Sequence, residues 1–150
     1  MKLEQQLVSL DLAKRLRDLG VKQESLFMWS SDSKLYIRWD LYMVDVEAQV
    51  LVKKSYFNDA IDFYSAFTVA EMGEILRDDK HAMTQWVDEE NEMWCVHCEI
   101  DDGKMTDTRG ALIHEEKAFT EADARAAMLQ YLIEHALIDI DVVNKKMGFS

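Results

Sequence analysis

The sequence predicts an α+β fold, an antiparallel sheet built from hairpins with about three helices packed on one face. Three observations predict it. Three segments repeat apolar residues at helical spacing behind a Ser or Thr. Between them, aromatic and β-branched runs come in pairs separated by short polar stretches, as hairpin strands do. The 150 residues hold no proline and only five glycines, so no linker divides them, and residues 1–150 read as one layered domain.

The first helix runs from Ser9 to Leu19, with Leu12, Ala13, Leu16 and Leu19 on one stripe, Ser9 as N-cap and Gly20 as the left-handed stop with Val21 folded back. Leu26 to Trp29 and Leu35 to Tyr42 then form a hairpin across Ser30–Lys34. Residues 44–52 alternate strictly from Val44 to Val52, which predicts one half-buried strand. Tyr56 to Phe67 has no clean period and is expected as a packed loop with Tyr56, Phe57, Phe63, Tyr64 and Phe67 turned inward. Thr68-Val69-Ala70-Glu71 is a capping box opening a second helix, with Val69, Met72, Ile75 and Leu76 buried.

A second hairpin joins Ala82–Val87 to Met93–Ile100 across the acidic stretch 88–92, and Asp102-Gly103 turns the chain into a strand over Gly110–Ala118. Thr120 caps the last strong element, a helix over 120–137 that buries Ala126, Leu129, Leu132, Ile133 and Leu137. Residues 138–150 are assigned to no element and are expected as a flexible tail that frays or pairs with a partner. Residues 10–39 and 69–98 share the order helix, linker, two strands, without the residue identity that would establish a repeat.

Hydrophobic residues make up 49% of the chain, enough for a core that buries roughly 68 to 70% of the unfolded surface without a disulfide or metal. The 29 Asp and Glu against 17 Lys and Arg leave a net charge of −12. Direct nucleic-acid binding draws on basic groups that neutralise phosphates, so that class is disfavoured. The N-terminal residues lack the apolar core of a signal peptide, and no run approaches a membrane span. With only two cysteines, three residues apart, the expected compartment is a reducing cytoplasm, with no membrane contact.

Metal-capable side chains concentrate in Cys95-Val96-His97-Cys98. On a strand, Cys95 and His97 share a face while Cys98 points away, and no second ligand pair follows at matching spacing, so the zinc reading is disfavoured and no cofactor is expected. Asp101, Asp102, Gly103, Lys104 and Asp107 lack the ligand alternation of a calcium loop. Asp139 and Asp141 could share a face but read as an exposed pair. No nucleophile elbow, phosphate loop, dinucleotide fingerprint or HExxH occurs.

The positive candidate is an acidic, aromatic surface for a macromolecular partner: Asp88, Glu89, Glu90 and Glu92 with Trp86 and Trp94, joined by acidic patches at Glu99–Asp102 and Glu71–Asp79. The plainer reading is that acidity keeps the protein soluble and the tryptophans fill the core.

Three stretches also carry a resemblance: Leu12–Leu16 leading into Leu19–Ser25, Ser65–Leu76, and Ala122–Glu134. Together they resemble an uncharacterised group of small proteins encoded by bacteriophages, prophages and other mobile elements. The resemblance implies a shared fold and carries no catalytic residue; the partner expected is a host protein. The expected function is that of a non-enzymatic accessory protein binding a host macromolecule through its acidic surface. The alternative is a small-molecule or metal binder, or a hydrolase, using His97, His114 and carboxylates in a cleft between sheet and helices. Homo-oligomerisation through Ile138, Ile140 and Val142 stays open.

Overall fold

The structure is a computed structural model that describes residues 2–57, 62–77, 81–100 and 112–147. Its strands form two antiparallel sheets, five-stranded in the order β4-β3-β2-β1-β5 and three-stranded in the order β6-β7-β8, and four α-helices pack with them in an α+β fold. The strands are β1 Phe27–Ser30, β2 Leu35–Trp39, β3 Tyr42–Asp45, β4 Val50–Lys53, β5 Phe63–Ser65, β6 His81–Asp88, β7 Met93–Ile100 and β8 Leu112–Ala118. The helices are α1 Leu10–Asp18, α2 Val69–Leu76, α3 Glu121–Glu134 and α4 Ile140–Met147.

Helix α1 stops where the sequence expects. Gly20 has φ +93°, Val21 N–H reaches Leu16 O at 3.0 Å and Gly20 N–H reaches Arg17 O at 2.9 Å, a complete Schellman motif closed by the buried pair Leu16 and Val21. Its start differs. The Ser9 hydroxyl makes no cap bond; instead Ser9 N–H donates to Asp123 Oδ1 at 2.7 Å, which pins the start of α1 to the first turn of α3. The capping box of α2 forms, with Thr68 Oγ1 accepting from Glu71 N–H and Glu71 Oε1 accepting from Thr68 N–H.

The strand expected over 44–52 is instead a hairpin, β3 to β4. Asp45 Oδ1 accepts from the N–H groups of Glu47 and Ala48, Gln49 takes φ +55°, and its N–H returns to Asp45 O. An aspartate capping its own turn outweighs the alternating pattern. The packed loop expected over 56–67 contains β5, which pairs with β1. Phe57 and Phe63 do turn inward, edge-on to each other and to Tyr36, but Tyr56 lies in a short 3-10 turn and is 74% exposed.

The main core gathers Leu16, Phe67, Met72, Leu129, Leu132 and Val143 with Val96 and Cys98 of β7, all fully buried or nearly so. Each large aliphatic or aromatic side chain buried there contributes about 1.5–3 kcal/mol. Helix α3 lies at its centre, against β7 and β8 on one side and α1 and α2 on others. That is why its buried residues Ala122, Ala124, Ala126, Met128, Leu129 and Leu132 follow no single stripe.

Helix α3 is shorter than the expected 120–137. Ala136 takes φ +55°, and Leu137 N–H bonds to Leu132 O, a second Schellman motif that leaves Leu137 36% exposed. In the tail, α4 docks beside α2 with Val143 buried, Ile138 8% exposed and Val142 49% exposed. The turn expected at Asp102-Gly103, with Asp101, Lys104 and Asp107, lies outside the described residues.

Candidate functional site

The pleat of β7 sorts the cluster around Cys95. Val96 and Cys98 belong to the main core and Trp94 packs against it, so residues of this parity face the helices. Cys95, His97 and Glu99 therefore face outward. The ladder sets Trp86 and Lys117 on either side of Cys95, and Thr84 and Glu115 on either side of His97. Among the described residues no helix packs on this outward face. The predicted set is thus divided: Trp86 lies with the acidic turn outside, and Trp94 belongs to the core side.

The outward face is organised by local contacts. The Trp86 and His97 rings meet edge to face, centroids 4.1 Å apart at 85°. His97 Nε2 lies 3.0 Å from Glu115 Oε1, and Lys117 Nζ lies 3.8 Å from Asp88 Oδ2. Trp86 is 39% exposed, whereas Cys95, set between Trp86 and Lys117 on the ladder, is 1% exposed although it points away from the core. The thiol on this face is therefore out of solvent's reach.

At one end of the face the β6–β7 turn repeats the chemistry of the β3–β4 turn. Asp88 Oδ1 accepts from Glu90 N–H at 3.1 Å, Asp88 Oδ2 accepts from Asn91 Nδ2 at 2.8 Å, and Glu92 takes φ +53°. The Asn91 side-chain hydrogen bond, followed by the backbone N–H groups of Asn91 and Glu90 and by Lys117, holds the Asp88 carboxyl below its ordinary value against a desolvation that acts the other way. Asp88 is thus the organiser of the turn, and Glu89, Glu90 and Glu92 are the carboxylates left exposed by it. Among the described residues, Glu99 and Glu115 bring the carboxylates of the face and its turn to six, against the amine of Lys117.

The other expected groupings are not brought together. His97 faces outward, whereas His114 pairs across from Cys98 on the helix side, so the two histidines share no cleft. His114 stacks on Tyr131 at 3.5 Å and 3°, Tyr131 stacks on His135 at 4.0 Å and 26°, and His114 Nε2 approaches Glu116 Oε1 at 2.6 Å. Among the described residues no three His, Cys, Asp or Glu side chains form a group able to hold a metal ion. Glu71 is engaged in the capping box and also accepts from Ser25 Oγ.

Sequence reasoning missed Glu115 and Lys117, which the register of β8 on β7 brings to this face from an all-polar run, and the His114–Tyr131–His135 column. Only the i, i+4 spacing of Tyr131 and His135 announced that column, since His114 reaches it through β8–α3 packing. A cavity of about 320 Å³ lies between α2 and α4 and is lined by Phe67, Ile75 and Met147 with Glu71, away from the outward face. Compared with protein families, with curated proteins and with solved structures, the chain matches none.

Proposed function

We propose that this protein is a non-enzymatic accessory protein that binds a protein partner of basic surface through the outward face of β6–β7–β8. One observation carries the reading: helices cover the three-stranded sheet on one side, while the other side keeps Trp86 accessible inside a field of six carboxylates. An accessible tryptophan beside a turn of exposed carboxylates resembles a recognition surface, an aromatic anchor with a charged rim that steers the partner in. The partner class proposed is a bacterial host protein, in keeping with the resemblance to proteins of phages and mobile elements. The −12 charge of the chain argues against nucleic acid in that role.

The test is capture from a bacterial lysate with the tagged chain at low and high salt, alongside a variant carrying Glu89→Lys, Glu90→Lys, Glu92→Lys and Trp86→Ala. A basic protein held by the wild type at low salt, released at high salt and missed by the variant supports the reading. Identical capture by both proteins contradicts it. Asp88 is left unchanged in the variant because its carboxylate holds the turn.

A further inference from the structure

The chain's exposed apolar surface is concentrated away from the acidic face. Of twelve large hydrophobic side chains exposed among the described residues, five fall within 39–56: Trp39 at 68%, Leu41 at 70%, Val50 at 51%, Leu51 at 56% and Tyr56 at 74%. Val50 and Leu51 lie on β4, one of the two edge strands of the five-stranded sheet, Tyr56 follows it, and Trp39 and Leu41 lie at the β2–β3 turn. The register aligns Trp39, Tyr42 and Lys53 in one row and Ile37, Val44 and Leu51 in the next, so one face of β2–β3–β4 is an apolar grid. Of the five exposed side chains, Trp39 and Leu51 stand on this face, whereas Val50, next to Leu51 in the strand, stands on the opposite one. Among the described residues the outer edge of β4 pairs with no other strand.

We infer that this edge and face bind a second copy of the same chain, β4 against β4 in antiparallel orientation about a two-fold axis. Charge selects that occupant. Residues 35–56 hold Arg38, Lys53 and Lys54 against Asp40, Asp45 and Glu47, a net charge of zero in a chain of −12, so here two copies meet with least repulsion. The charges are also ordered along the edge, with Asp45 and Glu47 before β4 and Lys53 and Lys54 at and after its end. Antiparallel self-pairing sets the acidic end of each copy toward the basic end of the other, and a parallel arrangement would set like against like. The acidic face of β6–β7–β8 lies on the other sheet and stays free in each copy, so this inference stands independently of the proposed function.

Sedimentation equilibrium of the full chain tests it. The expected mass is twice the 17.5 kDa of one chain at micromolar concentration, and a single-chain mass at 100 µM overturns the inference. Leu51→Glu, at an exposed position that leaves folding intact, is expected to weaken self-association at least tenfold without moving the melting temperature. An unaltered dimer in that variant places the contact elsewhere and refutes this one. Lys53→Glu alone is expected to weaken the dimer, and Lys53→Glu combined with Glu47→Lys to restore it. A double variant as weak as the single one refutes the antiparallel arrangement.

Discussion

Two helices of this protein end in the same motif with different residues at the left-handed position, and that pair makes a sharp test of the backbone account. Gly20 closes α1 at φ +93° and Ala136 closes α3 at φ +55°, each with the 6→1 hydrogen bond of a Schellman turn. An L-residue held in this region costs about 1–2 kcal/mol, and a glycine there gives back about 0.5–1 kcal/mol in unfolded-state freedom. Ala136→Gly should therefore stabilise the fold by about 0.5–1 kcal/mol, and Gly20→Ala should destabilise it by a similar amount. Sterics do not confuse the second variant, because a Cβ on Gly20 would meet Ile140 Cγ1 at 3.7 Å, an ordinary contact. In a chain of this length 1 kcal/mol moves the melting temperature by about 2–4 °C. Thermal and urea unfolding of the wild type, both single variants and the double variant give the signs directly. The double should lie near the wild type. A fall in melting temperature for Ala136→Gly, or a rise for Gly20→Ala, would refute the reasoning.

Trp86→Ala should leave stability nearly unchanged but open the outward side of Cys95, so the labelling rate by a thiol reagent should rise at least tenfold at Cys95; an unchanged rate means that other groups cover the thiol. Glu92→Gly should stabilise the β6–β7 hairpin by about 0.5–1 kcal/mol by relieving φ +53°, measured by urea unfolding, and a loss of stability would show that the Glu92 side chain holds the turn. Asp123 is shifted upward from 3.8, by burial above all, against hydrogen bonds from Ser9. Its contribution to stability is therefore complete below 3.8 and declines as pH rises through the raised folded value. Asp123→Asn keeps an Oδ1 acceptor for Ser9 N–H without the charge, so its stability relative to the wild type should grow from pH 3.8 toward 7, and a difference that does not change with pH would contradict this. Leu132→Ala, in the fully buried centre of the core, should cost about 2–5 kcal/mol, and a cost below 1 kcal/mol would place it outside the core.

What the sequence made legible was local. The Gly20 stop, the Thr68–Glu71 capping box and the second hairpin follow from short-range chemistry and appear as read, whereas the strand expected over Leu35–Tyr42 ends at Trp39, where Asp40 takes φ +51° and turns the chain so that Tyr42 opens β3. Alternation along β7 likewise separates Cys98 from Cys95 and His97. The failures have one cause, tertiary or turn chemistry overriding a pattern. The alternation through 44–52 hid a turn, because Asp45 caps it and Gln49 accepts a left-handed conformation without a glycine to announce it. Ala136 ended α3 in the same unannounced way. Residues around Phe63 show no strand period because β5 has only three residues and takes its order from β1.

For the site, the acidic turn and Trp86 were visible in the sequence and stand together on one face. Trp94 was grouped with them by spacing alone, and strand parity sends it to the core. Glu115 and Lys117 join the face from a strand some twenty residues away, which only the register of β7 with β8 reveals.

The central claim, recognition through the outward face of β6–β7–β8, is tested most directly by titrating the captured partner against the wild type and against Glu89→Lys/Glu90→Lys/Glu92→Lys at two salt concentrations. The account predicts that the triple reversal weakens binding at least tenfold, about 1.4 kcal/mol, at low salt and flattens its salt dependence, with the melting temperature held. Equal affinity and an equal salt slope for the two proteins would contradict it.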